Sequence, residues 1–169
     1  MTETLSATLP DDVEALTHAV LREANERELS LVTAESCTGG LLASLLTDVE
    51  GAGHVFERGF VTYSKDAKCE LLGLDRAMID DCGAVSEEVA RAMAAGALVR
   101  SHGDLVLAVT GFAGPAGPDD EAGLIHFACA RRDGPVVHRE VRLGPLGRGP
   151  ARIACVRIAL EMLMDAIEG

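Results

Sequence analysis

Between Asp104 and Thr110 the chain is apolar at every position from Leu105 to Val109. Successive side chains of a β-strand point to opposite faces, so a strand that is apolar throughout must be covered on both sides. The chain must therefore sandwich a sheet between two other layers. The rest of the pattern supplies them. Pro10, Asp11 and Asp12 open a helix with apolar positions at Val13, Leu16, Val20 and Leu21, and residues 1–10 before it read as a loose tail. A short β-type run, Ser30 to Ala34, leads through a glycine turn into a helix that begins near Thr38 and carries Leu41 to Leu46. Phe56 to Tyr63 reads as a strand and Ser64 to Leu72 as a helix with Ser64 as its N-cap. Ser86, Glu87 and Glu88 start another helix that runs to about Val99, with acidic residues where its dipole favours them. After Thr110 comes a Gly/Pro-rich loop, Gly111 to Gly123. Two strands follow, Leu124 to Arg131 and Val136 to Leu143, joined through Asp133-Gly134, and a last helix runs from about Ala151 to Ile167. Strands alternating with helices up to a late hairpin imply an α/β protein: a three-layer α/β/α domain over residues 11–169 with a mixed, mostly parallel sheet.

Composition narrows the class of partner. The 169 residues carry a formal charge of -12, which disfavours nucleic acid or an anionic membrane as a bulk partner, since both attract basic surface. A phosphate remains acceptable wherever a few arginines converge. The five cysteines, Cys37, Cys69, Cys82, Cys129 and Cys155, include no CxxC pair, so no metal site is expected and reduced thiols in a cytoplasmic protein are the simpler reading. The N-terminus has no apolar core of a signal peptide, and no stretch reaches a membrane span.

Three segments could carry chemistry. In Thr33-Ala34-Glu35-Ser36-Cys37-Thr38-Gly39-Gly40 a strand passes into a helix. That places a hydroxyl beside the unsatisfied N–H groups of a helix start, where an oxyanion or phosphate is held. The same octapeptide also reads as a plain helix cap. In Tyr63-Ser64-Lys65-Asp66-Ala67-Lys68, Ser64 and Lys68 share one helix face. A lysine desolvated near a hydroxyl becomes a base, and Tyr63 could orient it or relay a proton. The alternative is a solvated amphipathic helix. Thr110-Gly111-Phe112-Ala113-Gly114 leaves the apolar strand at its carboxyl end, where ligands of open α/β sheets bind, or else it is a surface loop. The histidines are scattered, and a Ser-His-Asp triad assembled in space stays open.

Taken together, "TAESCTGG" at 33–40, "FERGFVTYSKDAK" at 56–68, "GAVSEEVARAMAAGA" at 83–97 and "TGFAGPAG" at 110–117 resemble the CinA C-terminal domain family, the nicotinamide-nucleotide amidohydrolases, in order and in spacing. The resemblance spans about residues 11 to 165 and is to the freestanding type. It implies hydrolysis of the carboxamide of nicotinamide mononucleotide to nicotinate mononucleotide and ammonia, with no metal or cofactor. By motif position it implies Ser36 as nucleophile, Lys68 as general base and Tyr63 assisting. Glu35, Cys37, Thr38, Gly39, Gly40, Thr110, Gly111, Gly114, Arg148 and Arg152 are expected around the substrate, with the two arginines on its phosphate. The family's Asp before the first of those arginines is Gly147 here. A homo-oligomer is expected. Two other readings stay open: a Ser/Lys hydrolase acting on another amide, and a catalytically idle nucleotide-binding or interaction module.

Overall fold

A computed structural model describes residues 9–169. Five strands, β1 (Leu31–Glu35), β2 (Phe56–Val61), β3 (Leu105–Gly111), β4 (Leu124–Arg131) and β5 (Val136–Arg142), form one sheet in the order β2-β1-β3-β4-β5. β1 pairs in parallel with both β2 and β3, while β3–β4 and β4–β5 are antiparallel, so four of the five strands run one way and β4 alone runs against them. Helices α1 (Asp11–Glu26), α2 (Leu41–Leu46) and α6 (Arg148–Glu168) cover one face. Helices α3 (Lys65–Leu72), α4 (Arg76–Cys82) and α5 (Glu87–Val99) cover the other.

β3 divides its side chains as its apolar run requires. Leu105, Leu107 and Val109 enter the cluster beneath α1, α2 and α6, while Val106 and Ala108 enter the cluster beneath α5. The α5 side is built from small residues. Ala34, Ala108, Ala128 and Ala130 of the sheet meet Ala90, Ala94 and Ala97 of α5, which brings that helix close to the strands. The Asp133-Gly134 hairpin forms, with Asp133 at φ 61. Ser64 and Ser86 cap α3 and α5, accepting from Ala67 N and Val89 N.

Three expectations change. Of the tail expected over residues 1–10, residues 1–8 lie outside the described residues, whereas Leu9 packs on the core and Pro10 is the N-cap of α1. α6 begins at Arg148, three residues before the expected Ala151. Pro150 does not delay it, because the first-turn N–H groups of a helix have no internal acceptor to lose. And α4 is a helix with no apolar period long enough to announce it. Its signals are terminal ones, a left-handed Gly73 closing α3 and Asp75 capping α4 by accepting from Ala77 N.

Candidate active site

β2, β1 and β3 are neighbours and parallel, so their carboxyl ends lie side by side. The chain leaves β1 at Ser36, β2 at Thr62-Tyr63 and β3 at Phe112. Ser36 N donates to Val109 O of β3, and Thr62 N donates to Glu35 O of β1, which ties the three exits together.

Lys68 sits on the inner face of α3 one turn before Leu72, and these are the two buried residues of that helix. It occupies an apolar position and is 1% exposed. Its Nζ lies 2.9 Å from Ser36 Oγ and donates to Thr62 O at 2.7 Å. Among the described residues no carboxylate bonds it. Desolvation lowers its pKa from 10.5 to about 8, against a smaller opposing pull from Cys37. As the free amine it keeps the bond to Thr62 O and turns its lone pair toward the Ser36 hydroxyl, the arrangement of a base and its nucleophile. Ser64, the other hydroxyl on that helix face, is occupied as the α3 cap. No histidine bonds Ser36 among the described residues. His126 and His138 instead stack on each other, Nδ1 to Nε2 at 3.0 Å.

Glu35 has a different role from the one expected of it. It is fully buried, and its carboxylate accepts from Gly40 N and Leu42 N at 3.1 Å and from Ala43 N at 2.8 Å. The side chain caps α2 from within and leaves no free oxygen face for a substrate. This cap also sorts the N–H groups of the loop. Gly40 N is taken by Glu35 and Gly39 N by Ser36 O, so Thr38 N has no acceptor among the described residues and Cys37 N has only its own sulfur. The loop can turn this tightly because Gly39 and Gly40 adopt φ 60 and φ 95. The Thr38 hydroxyl is 2% exposed and has no partner among the described residues.

α6 closes the other side. Arg152 Nε donates to Cys37 O at 2.9 Å. One turn earlier Arg148 passes so close to Gly114 that a Cβ there would lie 2.6 Å from its guanidinium. Neither arginine forms an ion pair among the described residues. Thr110, 1% exposed, donates through its hydroxyl to Ala84 O at 2.8 Å and braces the loop before α5. Gly111 is packed against Leu124 and Ile125 of β4. Tyr63 follows Thr62 but is 63% exposed, and its hydroxyl makes no hydrogen bond among the described residues. The structure thus brings Lys68 to Ser36, Arg152 to the Cys37 carbonyl and Arg148 to Gly114. It leaves Tyr63 exposed and Glu35 buried under the start of α2. The Thr62 carbonyl, which orients the amine, was not visible from sequence, because any residue type supplies one.

A separate hollow of about 310 Å³ lies at the opposite end of the sheet, lined in part by Cys129, Val137, Arg139 and Met162. Its thiol, Cys129, is pushed up to about 12 by burial, so the hollow offers no nucleophile near neutrality. Among the described residues there is no cluster of three or more potential metal ligands, and no helix is long and apolar enough to cross a membrane.

The chain is similar to known proteins of one family. The chain is 45% identical over 154 residues to a CinA-like protein of Akkermansia muciniphila, covering 90% of this chain and 37% of that protein. A CinA-like protein of Mycolicibacterium gilvum is 45% identical over 142 residues, 83% of this chain and 33% of that one. The chain spans about a third of the length of the curated relatives it matches. Among solved structures, the competence/damage inducible protein CihA from Agrobacterium tumefaciens superposes with a TM-score of 0.91 at 45% identity, covering 95% of this chain and 98% of that one. A competence-damaged protein (CinA) superfamily protein from Escherichia coli gives 0.86 at 35% identity, over 94% and 93% of the two chains. The family model for the CinA C-terminal domain matches residues 13–167, so the chain belongs to the CinA C-terminal domain family.

Proposed function

We propose that the protein is a cytoplasmic amidohydrolase that deamidates nicotinamide mononucleotide in pyridine-nucleotide recycling, with Ser36 as nucleophile and Lys68 as base. The observation that carries this reading is the buried Lys68 amine 2.9 Å from Ser36 Oγ. A lysine held this way, with no carboxylate bonded to it among the described residues, serves catalysis better than stability. Neutral Lys68 takes the Ser36 proton as Oγ attacks the carboxamide carbon. The oxyanion that forms faces Cys37 N–H and Thr38 N–H, the donors the Glu35 cap leaves free. Lys68, now an ammonium, returns the proton to the departing nitrogen, ammonia leaves, and a water activated by the same amine hydrolyses the nicotinoyl ester. Tyr63, exposed beside Thr62, assists the proton transfer. Arg148 and Arg152, without ion-pair partners among the described residues of a chain of charge -12, are cations suited to a 5′-phosphate.

The decisive measurement is ammonia release from nicotinamide mononucleotide, with chelator present, by the wild type and by Ser36→Ala. Release by the wild type that falls by at least about 10³-fold in the variant is expected. A Ser36→Ala protein with undiminished turnover would remove Ser36 from the mechanism. Release from simple amides but not from the nucleotide would move the reading to another amide substrate. Binding of the nucleotide without turnover would make the domain a binding module.

The phosphate assignment has its own test. Arg148→Ala should raise KM for the mononucleotide by about 10- to 100-fold, the worth of one or two charge-assisted hydrogen bonds. It should leave kinetics on the dephosphorylated nucleoside unchanged. Equal losses on both substrates would show that Arg148 supports the loop at Gly114 rather than the phosphate.

A further inference from the structure

Two stacked histidines take no part in the chemistry above. By the alternation of a strand, His126 of β4 shares a face with Ala128 and Ala130, and His138 of β5 shares it with Val136, beneath α5. The ring centroids lie 5.2 Å apart, and His126 Nδ1 meets His138 Nε2 at 3.0 Å. Each outer nitrogen faces a carboxylate. His126 Nε2 is 3.8 Å from Glu140 of β5, and His138 Nδ1 is 3.6 Å from Glu87 in the first turn of α5. The four groups form a row, Glu140, His126, His138, Glu87, from the edge strand of the sheet to the start of a helix. Two arginines flank it. Arg142 is bonded to Glu140 and pairs with Glu121, and Arg91 donates to Glu87 at 2.7 Å and to Val136 O at 2.6 Å.

We propose that this row is a one-proton latch: as pH falls His138 takes up a proton and ties Glu87, at the start of α5, to the β4–β5 hairpin, and as pH rises the tie is lost. The proposal rests on the distances in the row and not on the amidase reading. Ring nitrogens donate when they carry hydrogen and accept when they do not. The contact between the rings uses one hydrogen. A neutral pair holds two, so one outer nitrogen must turn a lone pair toward its carboxylate. One added proton fills that place, and all three contacts of the row then have a hydrogen. A second would set N–H against N–H between the rings, so the pair takes one proton and resists the next. The ends of the row are unequal. Burial holds His126 below the ordinary imidazole range, against the pull of Glu140. His126 therefore stays neutral, with Nε2–H toward Glu140 and Nδ1 accepting from His138, and the imidazolium is His138. Its partner is an anion throughout, because Arg91 holds the Glu87 carboxyl below the usual carboxylate range.

The latch bears on a segment next to the candidate active site. His126 lies opposite Thr110 in the β3–β4 register, and Thr110 donates to Ala84 O. Residues 84–87 are thus held to the sheet by a hydroxyl bond that does not titrate and, at Glu87, by an imidazolium that does. Val109, the residue before Thr110, accepts from Ser36 N, so this segment adjoins the exit of β3 one strand from the nucleophile.

The experiment follows the imidazoles of the full chain by long-range proton–nitrogen correlation from about pH 5 to about pH 8.5, with His138→Gln used for assignment. Hydrogen exchange of the Val89 and Ala90 amides, which donate to Ser86, is read at both ends of that range and corrected for the intrinsic exchange rate. His138 is expected to pass from its Nε2–H form to the imidazolium while His126 remains in its neutral Nε2–H form. Protection of both amides should be at least about threefold higher at the acid end, the worth of one part-exposed ion pair. Glu87 is exposed, so Glu87→Gln should fold as the wild type does. It should abolish the difference in protection and keep the bond between the rings. The titration and exchange of the wild type stand without that variant. His126 protonating before His138, two rings that titrate independently of each other, or a difference in protection that is absent from the wild type or persists in Glu87→Gln would overturn the proposal. None of these readings uses substrate, so a protein that releases no ammonia would count against the amidase reading alone.

Discussion

Replacing Lys68 with methionine is expected to end ammonia release and, at the same time, to raise the melting temperature at neutral pH. Methionine is apolar and of similar length, and the position is an inner helix face continuous with Leu72. In the wild type, burial lowers the amine from 10.5 to about 8, and that difference corresponds to about 3 kcal/mol against folding whenever the group is charged in both states. Losing the bond to Thr62 O returns about 1 kcal/mol of the gain. The net of about 2 kcal/mol corresponds to a rise of roughly 4–8 °C for a domain of this size. The gain has a defined pH dependence. The folded-state pKa lies below the unfolded one, so the penalty is full below pH 8 and disappears as pH rises from about 8 to 10.5. Thermal scans of both proteins across that window check this, and a melting difference that is constant with pH would mean Lys68 is not the source. The same group governs the rate. Wild-type kcat/KM should climb about tenfold per pH unit below pH 8 and level off above it, as the amine loses its proton.

Glu35→Ala is expected to be the most damaging single change outside the Ser36–Lys68 pair. The carboxylate holds three backbone N–H groups in a fully buried place, and its removal strands all three. A stranded buried donor costs about 1–3 kcal/mol, so a loss of at least about 3 kcal/mol is expected, read as a lower denaturation midpoint. Activity should fall further than stability explains, because Cys37 N–H and Thr38 N–H keep their direction only while α2 is pinned. Glu35→Gln should rescue only part of this, since one oxygen becomes an NH2 that confronts a backbone donor. An alanine variant as stable as the wild type would mean that water replaces the carboxylate and that the cap is dispensable.

The order of layers was legible from local pattern. An apolar run too uniform for a half-exposed strand demanded cover on both sides, and β3 has it in Leu107 on one face and Val106 on the other. Ser64 showed as a cap, and Ser86 with Glu87 and Glu88 as a helix start, because such signals are a matter of three or four neighbouring residues. Membership of the CinA C-terminal domain family was legible too, in four ordered motifs that the family match over residues 13–167 bears out. α4 escaped, since seven residues are too few for a 3.6-residue period to show.

The site divides along the same line. Ser36 at a strand-to-helix turn and Lys68 on a helix face are local facts, written in residues 33–40 and 63–68. That they meet is not local. It depends on β1 and β2 being parallel neighbours, which carries α3 over the exit of β1 and places Nζ 2.9 Å from Oγ across 32 residues of chain. Only the packed structure decided that Glu35 faces the α2 backbone instead of a substrate and that Tyr63 lies at the surface. It alone set Arg152 of α6 on the Cys37 carbonyl across more than a hundred residues. Local sequence determines which conformations and chemical groups a segment offers, through backbone sterics and side-chain type. Which groups become partners, and which lysine loses its water and with it its proton, is settled by burial, and burial belongs to the assembled layers.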